Sequence, residues 1–321
     1  MSEYWWDRSG RDAELERLET LLRPLAFGGG RVPEAARRGR SRFLLSLGTL
    51  AATIAAIALW FQMRAGTPVG WQVLALAGTP RVSGAAATPN GRLYAEQVLE
   101  TGPDARARII VGKLGAIDVE PGSRLRVVDE GRHRLALEHG ALRAFISAPP
   151  RRFSIETREA LAVDLGCAYT LAVDPSGDGL LRVSFGWVAL ETEKNQYEMY
   201  VPAGAACALH AGHGPGTPYF EDASERFREA LSALDRGRFD ERSRDALLSA
   251  ARPRDGLSLL YALERMESPW REETYDRLAE LVAPPPGVDR EAVLRGRGKD
   301  WDRWWDTFHL PEMKWWTLAP P

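Results

Sequence analysis

Residue types suited to acid–base, nucleophilic or metal chemistry are sparse in this chain of 321 residues, which has five histidines and two cysteines. The histidines are His133, His139, His210, His213 and His309. Only His210 and His213 stand at a ligand-like spacing, beside Gly212 and Gly214, with no third ligand nearby. Two ligands on a glycine-rich loop rarely hold zinc, which takes three or four protein donors. Cys167 and Cys207 each lack a CxxC partner. No GxSxG elbow and no phosphate-cradling Walker loop is present, since Gly28-Gly29-Gly30 runs into Arg31-Val32-Pro33. The acidic residues fall on charged helix faces or in turns, where solvation explains them. The expectation is a protein with no catalytic residues, no metal and no cofactor, and not an enzyme.

Residues 43–63, FLLSLGTLAATIAAIALWFQM, form the one stretch that sets the organisation of everything else. No charge interrupts these 21 positions. About 20 apolar residues suffice for a helix to cross the hydrocarbon core, and lipid requires the backbone to be satisfied within the segment. A lipid bilayer is therefore an expected partner. Arg31, Arg37, Arg38, Arg40 and Arg42 precede the run, whereas only Arg64 follows it closely. Read as topology determinants, Arg37, Arg38, Arg40 and Arg42 keep the N-terminus in the cytoplasm and place residues 64–321 outside. A cleaved signal peptide fits poorly, because its apolar region is shorter and lies nearer the N-terminus. The formal charge of −2 and a pI of about 6.3 provide no basic field for nucleic acid.

Four segments follow. Residues 1–42 are an inside segment. Leu15, Leu18, Leu22 and Leu25 recur at helical spacing there, and Tyr4, Trp5 and Trp6 precede them. So short a helix is marginal alone, so the leucine stripe and aromatics call for a partner. Residues 43–63 are the transmembrane helix. Residues 64–218 read as an all-β domain, with short apolar runs separated by turn signals about every ten residues. The clearest alternation places Val163, Leu165, Cys167, Tyr169, Leu171 and Val173 on one face, with Asp164 and Thr170 opposite. Gly102, Gly122, Gly140, Gly166, Gly186 and Gly204 sit at run starts or bends, where a backbone open only to glycine is expected. Cys167 and Cys207 both share faces with apolar neighbours, as buried thiols or as a disulfide. An outside compartment permits the bond, and its loop of about forty residues would make it worth a few kcal/mol.

Residues 212–218 read as a linker, and residues 219–321 as an α-helical module. Helices are expected over 222–235, 242–250, 256–266 and 271–282, then after Asp289 and from Asp300. The last carries Trp301, Trp304, Trp305 and Phe308 on one face, a stripe best explained as core. Trp315 and Trp316 are expected to fold back onto this module. The fold class is thus a membrane-anchored, mainly β extracytoplasmic domain, sandwich- or solenoid-like, with a C-terminal helical module and one transmembrane helix.

The β region also carries an ordered set of motifs. It begins with LETGPDARARIIVGKLGAIDVEPGSRLRV at 99–127 and continues with LEHGALRAFI at 137–146 and RRFSIETREALAVDLGCAYTLAV at 151–173. LLRVSFGWVALET at 180–192 and VPAGAACAL at 201–209 complete it. In order and spacing this set resembles a FecR-type domain over about 140 residues. A departure is Gly166-Cys167, where the family has Gly-Thr. The resemblance implies a single-pass regulator in the bacterial inner membrane, with residues 64–321 periplasmic. It also implies a cytoplasmic sigma factor as partner and a periplasmic or outer-membrane signal-transducing protein on the other side. Tyr4, Trp5, Trp6, Leu15, Leu18 and Leu22 would then be the sigma-contacting face. The competing expectation is a membrane-anchored envelope scaffold or ligand-binding module with no sigma partner.

Overall fold

The computed structural model describes residues 70–88, 91–192 and 198–308. Contacts divide the chain between Ala65 and Gly66, and every described residue belongs to the second unit. The apolar run 43–63, the arginines before it, the aromatic and leucine positions of 1–42, His309, Trp315 and Trp316 lie outside the described residues. Among the described residues, no helix is long and apolar enough to cross a membrane.

The fold is mainly β sheet with a C-terminal helical part. Three strands of 13 residues organise the sheet: β9 (Arg134–Ile146), β11 (Leu161–Val173) and β12 (Gly179–Glu191). Each changes partners near a glycine. The first half of β9 pairs with β8 (Arg124–Asp129) and, in parallel, with β10 (Ser154–Glu156). Its second half pairs with β7 (Gly115–Val119) and β11. β12 leaves β14 (Ala205–His210) for β13 (Glu198–Pro202) around Gly186. On the far side β7 pairs with β6 (Arg106–Val111), which pairs with β1 (Trp71–Ala77).

Gly186 shows why the partner change needs glycine. Its φ is +70°, and a Cβ there would meet the Gly166 carbonyl oxygen far inside van der Waals contact. The opposing backbone cannot yield without breaking the β11–β12 ladder. Gly186→Ala is therefore expected to lower stability by about 3 kcal/mol or more, from left-handed strain plus overpacking. Gly102 differs from the expectation for the six glycines. It has no positive φ, and a Cβ there meets open space. Gly102→Ala should be nearly silent, and urea midpoints of the two variants, measured side by side, check the contrast.

The alternation read along β11 also breaks. Cys167, Tyr169, Leu171 and Val173 are buried on one face as expected, but Asp164 is buried too, at 1% exposure, and Leu165 is only half-buried. Between Asp164 and Cys167 the strand spans three steps where β12 spans two, from Val188 to Gly186. That extra residue is a bulge, and it turns Asp164 inward.

The helices follow the 3.6-residue period closely. They are α1 (Glu225–Asp235), α2 (Glu241–Ala250), α3 (Gly256–Ala262), α4 (Trp270–Leu281), α5 (Arg290–Leu294) and α6 (Lys299–Trp305). Ser224, Asp240 and Asp289 cap α1, α2 and α5 by accepting from Phe227, Ser243 and Ala292 N–H groups. Residues 212–218 are not a loose linker. Gly214–Pro215 (β15) and Tyr219–Phe220 (β16) pair with β14, and Thr217 bonds Asp235 on α1. Trp301 and Trp304 are buried in one hydrophobic cluster that runs from the sheet into the helices. Trp305 packs against Trp187 and Tyr200 of the sheet, at 5.9 and 5.6 Å between ring centroids, and donates to the Tyr261 hydroxyl. That hydroxyl in turn accepts from the Tyr200 N–H at 3.0 Å.

Candidate functional site

Two short basic stretches, Arg132-His133-Arg134 and Arg151-Arg152, sit in separate turns of the sequence. The first closes the β8–β9 hairpin, and the second follows Pro149-Pro150 on the way into β10. Sheet register brings them together. Ser154 on β10 lies opposite Arg134 on one side and Val163 on the other. Two residues further along, Glu156 faces Leu161, which faces Glu191. Backbone bonds then fasten both turns: Ser154 N–H donates to the His133 carbonyl at 3.2 Å, and Arg151 N–H donates to the Asp164 carbonyl at 2.8 Å.

The result is a cavity of about 390 Å³, walled by the two basic stretches and floored by Ser154, Leu161 and Val163, with Glu191 at its side. His133 and Arg151 both hold left-handed backbone, with φ of +51° and +65°. Such conformations are uncommon for residues with side chains and persist only where the surroundings enforce them. The His133 ring stacks on Trp71, with centroids 6.2 Å apart and planes 2° from parallel. Burial, and then the Arg152 charge, push the imidazole below its ordinary range, so it favours the neutral form.

The four arginines are not equally engaged. Arg151 donates to Glu191 at 2.6 Å and also to Glu198. Arg134 pairs with Glu156 at 2.9 Å, yet its Nε–H is buried with no acceptor among the described residues. Arg132 reaches Asp129 only at 3.8 Å and is largely exposed. Arg152 makes no hydrogen bond or ion pair among the described residues. Four carboxylates, Asp129, Glu156, Glu191 and Glu198, stand against the four arginines, but Arg151 engages two of them, so Arg152 is left without one and Arg132 only loosely held.

Beneath one rim lies the buried Asp164. Its carboxylate accepts from the Gly166 N–H at 2.7 Å and from the Cys167 thiol at 2.6 Å. Burial pushes this carboxyl up to about 7, against the pull of those two bonds, and burial also pushes the Cys167 thiol and Tyr169 hydroxyl up. A second buried polar group joins sheet to helix. Asp235 accepts from the Thr217 N–H and hydroxyl at 2.8 and 2.7 Å, with Arg265 at 3.5 Å. His210 is buried beside it, Nε2 lying 3.8 Å from Asp235 Oδ2, whereas His213 is a surface residue facing the Ala211 carbonyl. The HxxH pair is thus split between core and surface.

Of the two readings of the cysteines, buried thiols or a disulfide, the fold has the first. Cys167 and Cys207 are buried free thiols. Cys167 lies opposite Gly186, whereas Cys207 lies opposite Leu181, which faces Leu171. Four residues along the strands and two strands across put them roughly 16 Å apart, far beyond disulfide reach. Each thiol donates elsewhere, Cys207 to the Gly216 carbonyl at 3.1 Å. Nothing in the local sequence marks the arginines of the cavity as a site. The only signal was a pair of basic clusters, each beside a turn, which ordinarily reads as a solvated surface.

No known family model matches the chain, and no curated protein matches it. Two crystal structures of a "putative anti-sigma factor" from Parabacteroides distasonis are similar to it at 14% identity and a TM-score of 0.32. The similarity covers 42% of this chain, and 64% and 63% of those chains.

Proposed function

We propose that the chain is a single-pass inner-membrane regulator of FecR type, relaying a periplasmic signal to a cytoplasmic sigma factor through residues 1–42. The observation that carries this reading is the order of motifs from 99 to 209 downstream of an uncharged 21-residue run flanked by arginines. Those motifs fall in the sheet on strands from β5 (Val98–Glu100) to β14, with glycines at the bends. In this reading the folded body outside the membrane receives the signal, and Tyr4, Trp5, Trp6, Leu15, Leu18 and Leu22 present an apolar face to the sigma factor.

The test is co-purification of the full chain with sigma factors from its host. A sigma factor should be recovered with the native chain, and its recovery should drop about tenfold or more in a Trp5→Ala/Trp6→Ala variant, as for aromatic anchors of an interface. Equal recovery with both chains, or none with either, would sink the proposal. The second reading is an anchored envelope ligand-binding module without a sigma partner. What favours it is the basic cavity, which no part of the sigma mechanism requires.

A further inference from the structure

The cavity between the β8–β9 hairpin and the loop entering β10 has the makings of a binding site for one chemical class. Its walls carry four guanidinium groups against a single lining carboxylate, Glu191. Arg151 and Arg134 are tied to carboxylates, and those ties hold the walls in place. Arg152, without such a tie, and the weakly paired Arg132 are left to face a ligand from opposite turns. Guanidinium forks match phosphoryl and carboxylate oxygens, and two such groups suit a doubly charged anion.

Size and lining narrow the class further. About 390 Å³ falls in the range of small-molecule sites and exceeds the needs of one inorganic phosphate. Leu161 and Val163 supply an apolar floor, and the Ser154 position supplies a hydroxyl. We infer that this cavity binds a small phosphate-bearing ligand, its phosphoryl oxygens held between Arg132 and Arg152 and its remainder lying over Leu161 and Val163. A soluble phosphoester and the headgroup of an anionic phospholipid share this chemistry. The inference is independent of the sigma-factor reading, because every residue it uses lies in the described body beyond residue 70.

The experiment is equilibrium dialysis of the full chain, held in a neutral detergent at low ionic strength, against labelled pyrophosphate. One saturable site is expected. Arg152→Gln should weaken it about tenfold, and Arg132→Gln by a smaller factor, through loss of charge-assisted bonds. Arg152→Lys keeps the charge but not the fork and should fall between them. Arg106→Gln, which removes an arginine paired with Glu120 on another strand pair, should leave binding unchanged. Both Arg152 and Arg132 are exposed, so their variants fold, and circular dichroism identical to the native chain verifies it. Absence of saturable binding overturns the inference, as does an unchanged affinity in Arg152→Gln. Succinate competing as well as pyrophosphate overturns the phosphate assignment. Repeating the dialysis in phosphatidylglycerol and phosphatidylcholine nanodiscs separates the two sources. Competition by phosphatidylglycerol that disappears in Arg152→Gln supports a lipid headgroup, and indifference to the lipid supports a soluble phosphate.

Discussion

Replacing Asp164 with asparagine should make the folded body more stable by about 4 kcal/mol at pH 8 and by less than half of that at pH 5. The sign follows from the direction of the shift. Burial raises the folded carboxyl to about 7 from an ordinary 3.8, so between those values the folded chain holds a proton that the unfolded chain has released. The contribution of Asp164 is then fully present below pH 3.8 and is lost as pH rises through 7, to the extent of about 4 kcal/mol. Asparagine has the same shape, keeps an oxygen for the Gly166 N–H and does not titrate. Urea denaturation of both chains at the two pH values checks the prediction. A difference between the chains that is the same at pH 5 and pH 8 would show that Asp164 does not titrate in this window. The Cys167 thiol, pushed up by burial, stays protonated throughout and does not confuse the comparison.

Trp304→Ala should lower stability by about 3–5 kcal/mol, the usual cost of emptying a buried aromatic site. Trp304 is fully buried, edge-on to Tyr275 with ring centroids 5.2 Å apart. Its indole N–H has no hydrogen-bond partner among the described residues, so Trp304→Phe gives up an uncompensated polar group along with some volume. Phenylalanine should therefore cost about 1–2 kcal/mol, well below alanine. The same variant tests how far the core is shared. The hydrophobic cluster runs without a break from β1 through the sheet to α6, so helix and sheet signals should lose stability together. A helical signal that melts early, with the sheet transition unmoved, would contradict that.

The sequence by itself determined what depends on neighbours along the chain. Apolar residues at helical spacing placed α1 through α6 within a few residues, and Asp289 capped its helix as read. Turn residues separated the strands, and the aromatic stripe of Trp301 and Trp304 went to the core. Each of these is decided within one or two turns of backbone, where propensity, capping and periodicity act.

Tertiary structure decided everything that depends on register. A single extra residue in β11 turned Asp164 from the expected outer face into the core, a shift that period-2 reading cannot anticipate. Register also set Cys167 and Cys207 on distant rows of the sheet, and it drew Gly214–Pro215, inside the expected linker, into the sheet beside β14, with Thr217 tied to Asp235. It brought Arg132 and Arg152, twenty positions apart and unremarkable in sequence, into the lining of one cavity. Strand pairing is stabilised by the summed contacts of residues far apart in the chain, so no local stretch encodes it alone.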